Sequence, residues 1–242
     1  MRDPVTRYRL SPARSRAAAF GLLCALALAC GREAEAAWSR PEEIVIGTAY
    51  TLDQGAFSIG VFEPLRYGAL DSVMLTTRPV LHLLLTPNIN VRARIVAEPL
   101  CLSFQVGYMQ SFLEERESGF PGAVHGKFLL SVPLFRRVVL TGSLGYAFGF
   151  FPSDHQIPMA FAIHGLFSRS SMVMAQLAAI HSVSRGGLRQ PNVQLLYAHG
   201  WSSFHLGFGV SIGRYEFMPW TGLSVAVQGV AIAPVIDAWW RF

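Results

Sequence analysis

The chain closes on Pro234-Val-Ile-Asp-Ala-Trp-Trp-Arg-Phe242. Side chains of an extended strand alternate between two faces. One face of this stretch carries Ile236, Ala238, Trp240 and Phe242, and the other carries Val235, Asp237, Trp239 and Arg241. An apolar face tipped with aromatics, set against a face with two charges, suits a wall between lipid and a polar interior.

The same two-sidedness recurs upstream. Leu100, Leu102, Phe104, Val106 and Tyr108 oppose Cys101, Ser103, Gln105, Gly107 and Met109. Val138, Leu140, Leu144, Tyr146, Phe148 and Phe150 oppose Val139, Thr141, Ser143, Gly145, Ala147 and Gly149. Phe204, Leu206, Phe208, Val210 and Ile212 oppose His205, Gly207, Gly209, Ser211 and Gly213. Each segment has about ten residues with one bulky apolar face and one small or polar face, the pattern of a barrel strand in a membrane. A helix would need apolar spacings of three and four. Further strands are expected at 57–62, 72–77, 89–97, 123–132, 157–168, 171–183 and 192–200, with a weaker one at Ile44–Tyr50. Pro64 and Gly68 break the pattern between 63 and 71.

Composition agrees. The 242 residues are 52% hydrophobic and 14% charged, with a mean hydropathy of +0.36. Soluble domains carry roughly 25% charged residues. Beyond the N-terminus no run reaches the 18 or so apolar residues that a spanning helix needs. Only helices and closed barrels satisfy their backbone groups in lipid, so high hydrophobicity without spanning helices points to a barrel. The formal charge of +5 owes most of its excess to arginines before Ala37. From Ala37 onward 14 basic residues face 12 acidic ones, and Lys127 is the single lysine. Nothing in this pattern suggests a nucleic-acid partner.

Five arginines within residues 1–16 precede the apolar stretch Ala17–Ala29, the two parts of a secretory leader. Ala34-Glu-Ala36 supplies a small-x-small cleavage pattern, so residues 1–36 are expected to be a signal peptide and 37–242 one barrel domain. A competing reading takes Ala27-Leu-Ala-Cys30, which resembles a bacterial lipobox, as the processing site. Cys30 would then be the acylated N-terminus of a lipid-anchored periplasmic protein. Cys101 is left without a partner, so no disulfide framework follows.

The final strand, with its terminal Phe242, resembles the closing strand of bacterial outer-membrane β-barrels. The stretch Pro64-Leu-Arg-Tyr-Gly-Ala-Leu-Asp-Ser-Val-Met-Leu75 resembles hairpins in such barrels, in which a Tyr-Gly turn precedes an Asp and a new strand. The resemblance implies an all-β, transmembrane, antiparallel up-and-down barrel in the cell outer membrane. It implies outer-membrane lipids and the barrel assembly machinery as partners, with Trp240 and Phe242 in the assembly signal. Connections alternate in length, short near 98–99, 135–137, 168–170 and 201–202, longer at 111–122, 151–156, 184–191 and 214–221. The count is about twelve strands if Ile44–Tyr50 is one and 222–242 supplies a single strand; ten is the other count.

If the small faces line the lumen, Arg92, Arg94, His125, Lys127, His164, His205, Asp237 and Arg241 lie inside, together with Asn90. That lining is mildly basic. It suits either a passage or pocket for anions or a plugged interior in which charges pair, because buried charges are costly unless paired. Aromatics, among them Tyr108, Tyr146, Phe148, Phe150, Phe151, Trp201, Tyr215, Phe217, Trp220, Trp239 and Trp240, cluster near strand ends, as the girdles of a barrel do.

Enzymatic chemistry is weakly served. Ala179-Ile-His-Ser-Val-Ser-Arg-Gly-Gly187 is similar to the His-x-Ser pairing of lipid A deacylases, but Ser182 and Ser184 fall on the face opposite His181, with no acid placed to orient it. His82 and His155 read as loop or strand-end residues. No metal-ligand spacing, phosphate-binding glycine loop or dinucleotide fingerprint occurs, so no cofactor is expected. The leading expectation is a non-enzymatic barrel, either a small channel or an envelope structural protein. The alternatives are a lipid-modifying enzyme and the lipid-anchored protein.

Overall fold

The computed structural model describes residues 38–61, 63–83, 85–112, 122–150, 153–184, 186–213 and 232–242. Twelve antiparallel strands close into an up-and-down barrel. They are β1 (Phe57–Gly60), β2 (Leu65–Leu70), β3 (Val73–Thr77), β4 (Asn88–Val96), β5 (Cys101–Gln110), β6 (Gly122–Phe135), β7 (Val138–Phe150), β8 (Ser153–Leu166), β9 (Ser171–Ser182), β10 (Leu188–Trp201), β11 (Phe204–Gly213) and β12 (Ile232–Arg241). Each pairs with its chain neighbours, and β12 closes on β1 through Ser58–Arg241, Ile59–Trp240 and Gly60–Trp239. Among the described residues no helix is long and apolar enough to cross a membrane.

The end holding Phe242 is called the lower end here. Connections there are short: 71–72, 97–100, 136–137, 167–170 and 202–203. The upper end holds, among the described residues, the segment 78–87 and Ser111-Phe112. The first of these contains a short helix, α1 (Pro79–Leu83), whose His82 bonds Thr77 Oγ1 at 2.7 Å.

The expected twelve strands are present, but two errors offset one another. Residues 44–50 are not a strand: they lie inside the barrel. Residues 65–70, expected to interrupt a strand, form β2. Tyr67 and Gly68 sit within that strand, and the turn falls at Asp71-Ser72. Only Pro64 breaks the ladder, one residue before β2 begins. The long connection expected at 151–156 is also shorter, because β8 starts at Ser153, and β10 starts at Leu188, inside the connection expected at 184–191. The connection at 214–221, like residues 222–231, lies outside the described residues, and β12 supplies the closing strand.

Polarity is inverted relative to a water-soluble domain. Leu144, Phe208 and Ile236 face outward and are more than half exposed, while Arg92, Lys127, His164 and Ser103 are buried in the interior. Aromatic side chains gather at both ends of the outer surface. At the lower end Trp201 stacks on Phe204, Phe204 meets Trp240, and Phe57 stacks on Phe242. At the upper end Phe148 contacts Phe150 and His155, and Tyr146 bonds the His155 ring. His155 is therefore an outward residue of β8. Trp239, grouped by sequence with the girdle, points inward and is buried; Phe151, Tyr215, Phe217 and Trp220 lie outside the described residues.

Candidate functional site

The interior is filled from the lower end by the chain's own residues 38–56. An eight-stranded barrel is just filled by its inward side chains, and 16 or more strands leave an aqueous channel. Twelve strands enclose more space than their own side chains can fill, and this segment takes up part of it.

The segment enters beside the β8–β9 turn, where the Trp38 N–H donates to the Arg169 carbonyl at 2.8 Å. The Trp38 ring leans on His205, whose ring also lies nearly parallel to that of Trp239 at 5.1 Å. Ser39 and Glu43 then bracket a single 3-10 turn at Pro41–Glu43. Beyond it, Ile44 packs with Trp38, Leu166, Met172, Ala198 and Trp239. Tyr50 and Ala49 pack with Cys101, Leu129 and Val139, and Val45 and Leu52 with Met74.

This buried backbone has no strand partner, so its polar groups need others. Barrel side chains supply them. The Arg92 Nη1 donates to the carbonyls of Thr48 at 2.8 Å and Tyr50 at 3.1 Å. The Ala49 N–H donates to Ser131 Oγ at 2.8 Å, and Ser103 Oγ donates to the Ala49 carbonyl. Arg241 Nη1 donates to the Glu43 carbonyl at 3.1 Å. The segment leaves at the β2–β3 turn, where Thr51 Oγ1 donates to the Asp71 carbonyl and Gly55 and Ala56 exchange backbone bonds with Gly68. Two glycines permit this course. Gly47 has φ +69°, and a Cβ there would stand 3.3 Å from His164 Nε2. A Cβ on Gly68 would collide with the Asp53 carbonyl at 2.0 Å. Burial raises the Tyr50 phenol to about 12, with the charges of Glu42 and Cys101 adding to it.

Above this plug lies a cavity of about 400 Å3. Its floor is Val45, Ile46 and Gly47. One wall carries Arg66, Arg78, Asn90, Arg92, Gln105 and Lys127, and the other carries Gln176, Asn192, Gln194, Ser211 and Asp237. Strand register explains the grouping. Arg92 pairs with Gln105, which pairs with Lys127, so the three form one cross-strand row on β4, β5 and β6. Gln194 pairs with Gln176 on β10 and β9. Arg66 is ion-paired to Glu63, and Arg92 is held by Gln105 Oε1 at 3.0 and 3.2 Å. A smaller void of about 20 Å3 lies lower, among Trp38, Glu43, Ser58, His205 and Arg241.

The residues expected in the lumen thus fall into groups. Arg92, Lys127 and Asp237 line the cavity. His164 lies under Gly47, His205 against Trp38, and Arg241 against Glu43, all three at the plug. His125 is buried on the inner face beside Asn90 and Gly107. Arg94 pairs with the inward Ser103 and so keeps the inner-face register, at the lower rim, where its guanidinium donates to the Asp71 carbonyl. Trp240 and Phe242 lie on the outer surface of the lower end; Cys30 and the expected signal peptide, residues 1–36, lie outside the described residues.

Sequence reasoning missed the plug and the cavity residues Arg66, Arg78, Gln176 and Gln194. Arg66 was legible, since Arg66 and Gly68 alternate with Leu65 and Tyr67. The plug carries no periodic signal, because a segment surrounded by wall is buried on all sides. At the serine candidate, Ser182 Oγ lies 3.4 Å from Asp154 Oδ1 on the inner face, and Ser184 Oγ accepts from the His155 N–H, so neither hydroxyl is turned to His181 by these bonds. Among the described residues no cluster of His, Cys, Asp or Glu could hold a metal ion.

Fold and interior together define a class: a closed twelve-stranded barrel, apolar outside and polar inside, stoppered by its own residues 38–56. No known family model matches the chain, and comparison with curated proteins finds no match.

Proposed function

We propose that the protein is a non-enzymatic integral barrel of the bacterial outer membrane whose lumen is held shut. Membrane residence is supported by the outward apolar surface with aromatics at both ends, joined to a polar interior, which is the arrangement lipid requires of a barrel. The lower end then faces the periplasm, and the longer connections face outside. Of the two roles open to such a barrel, channel and structural element, the interior favours the closed one. The observation that carries this is the plug: barrel side chains bind its backbone from β4, β5, β6 and β12.

Two measurements test the proposal. Membrane fractionation with heat-modifiable gel migration should find the protein in the outer membrane as a folded barrel. A soluble protein without the mobility shift would remove the membrane reading. In planar bilayers the intact protein should be silent, and steady conductance by well-folded protein would remove the closed lumen.

A further inference from the structure

We propose that the cavity above the plug is a binding site for neutral sugars of one or two rings. This rests on the closed lumen proposed above, since the plug forms the floor.

The wall running from β7 to β11 carries it. Strand register places Thr141, Ala162, Gln176, Gln194 and Ser211 side by side in one inward row. The row above it holds Ser143, Ala160, Ala178 and Asn192. Long carboxamides therefore rise around a recess of alanines and small hydroxyl residues. Among the described residues Gln176, Asn192 and Gln194 make no hydrogen bond, so each offers donors and an acceptor to the cavity. In the row below, Met174 pairs with Leu196 and adds an apolar patch. Among the described residues no Asp, Glu, Lys or Arg of these strands lines the cavity.

The charges across from this wall are already engaged. Arg66 is ion-paired to Glu63, Arg92 holds Thr48, Tyr50 and Gln105, and Arg78, Lys127 and Asp237 have partners of their own. The unspent hydrogen-bonding capacity is therefore neutral. A sugar matches it: its hydroxyls donate and accept, as carboxamides do, and its C–H faces suit an apolar patch. A ligand without hydroxyls would strip water from the carboxamides and leave them unpaired, which is costly. The volume, about 400 Å3, is in the range of small-molecule sites, roughly 300–1,000 Å3.

The test is titration calorimetry on the detergent-folded full chain with maltose, glucose and glucose 6-phosphate. Maltose or glucose should bind saturably, and glucose 6-phosphate no more tightly than glucose. Raising salt from about 0.05 to about 0.5 M should change the affinity less than about twofold, because screening acts on charge. Gln176→Leu with Gln194→Leu should weaken the sugar about tenfold or more, the scale of one or two lost hydrogen bonds. Ala160→Phe, which fills the recess and leaves the carboxamides in place, should weaken it as much. Each variant is first shown to be folded by its heat-modifiable migration, and Asn192→Leu serves in place of the double variant if that does not fold. No saturable sugar binding, tighter binding of glucose 6-phosphate than of glucose, strong salt dependence, or unchanged binding by either folded variant overturns the site. Conductance measured on the same preparation separates the two readings: silent protein that fails to bind removes the site alone, and conducting protein removes the plug.

Discussion

Arg92, midway along β4, holds the Thr48 carbonyl at 2.8 Å across 44 residues of chain. The same guanidinium also takes the Tyr50 carbonyl and Gln105 Oε1, so one side chain ties the plug to two adjacent strands. A planar fork of donors suits this task, and a lysine could not span it.

Removing that fork should loosen the plug without dismantling the barrel, whose ladders do not involve it. Arg92→Met leaves two carbonyls and an amide oxygen without their donor. Loss of partners by buried polar groups costs about 1–3 kcal/mol each at most. We expect plug docking to weaken by about 2–4 kcal/mol on that scale, giving transient conductance in bilayers where the parent is silent. A silent Arg92→Met protein with parental urea stability would refute the anchoring role.

Gly47 allows an independent probe of the same segment. Its φ of +69° and the neighbouring His164 ring both oppose a branched side chain. Gly47→Val should cost about 1–3 kcal/mol, the usual strain of a non-glycine residue held in that region. Gly55, with φ +82° and open space around it, is the control, and Gly55→Asn should change little. Cys101 reports the outcome: it is 1% exposed beneath Ala49 and Tyr50. In a background with Cys24 and Cys30 replaced by Ala, maleimide should label Cys101 faster in Gly47→Val than in the parent or in Gly55→Asn. Equal rates would mean that the plug does not cover this thiol.

Alkali should act on Tyr50. Its phenol keeps its proton up to about pH 12 when docked, and a free phenol releases it near 10. Between these values the undocked plug binds fewer protons than the docked one, so docking loses stability as pH rises. The contribution is complete below about pH 10 and is gone as pH passes 12. Conductance events should therefore begin above about pH 10 and shift to higher pH in Tyr50→Phe, which cannot ionise. Identical onset in the two proteins would dissociate Tyr50 from plug release.

These relations mark where the sequence was readable. Alternation in β5, β7 and β11 placed Ser103, Thr141 and His205 inward and Tyr108, Leu144 and Phe208 outward, because the period of two survives wherever one face meets wall and the other the outside. It failed on either side of β1. Arg66 and Gly68 in β2 followed the rule, but Pro64 next to them obscured it. Residues 44–50 broke the rule because Ile44, Ala49 and Tyr50 have wall on every side, so no polar face exists to alternate with an apolar one. The cavity was half legible: Arg92 and Lys127 follow from strand parity, whereas their row with Gln105 requires the register between β4, β5 and β6.

Leu144 offers the sharpest test of the outer surface. It lies near the middle of β7, faces outward and is 58% exposed. In a water-soluble protein a surface change such as Leu144→Arg would alter stability by no more than about 0.5 kcal/mol, and would improve solubility. On the lipid face of a barrel, arginine near the midplane costs about 2–4 kcal/mol, falling toward zero near the interfaces. Phe135→Arg, at the lower end of β6, supplies the interface comparison. Reversible unfolding in lipid vesicles should show Leu144→Arg destabilised by about 2–4 kcal/mol and Phe135→Arg by about 1 kcal/mol or less. Equal, small effects at the two positions would mean that β7 meets water along its length.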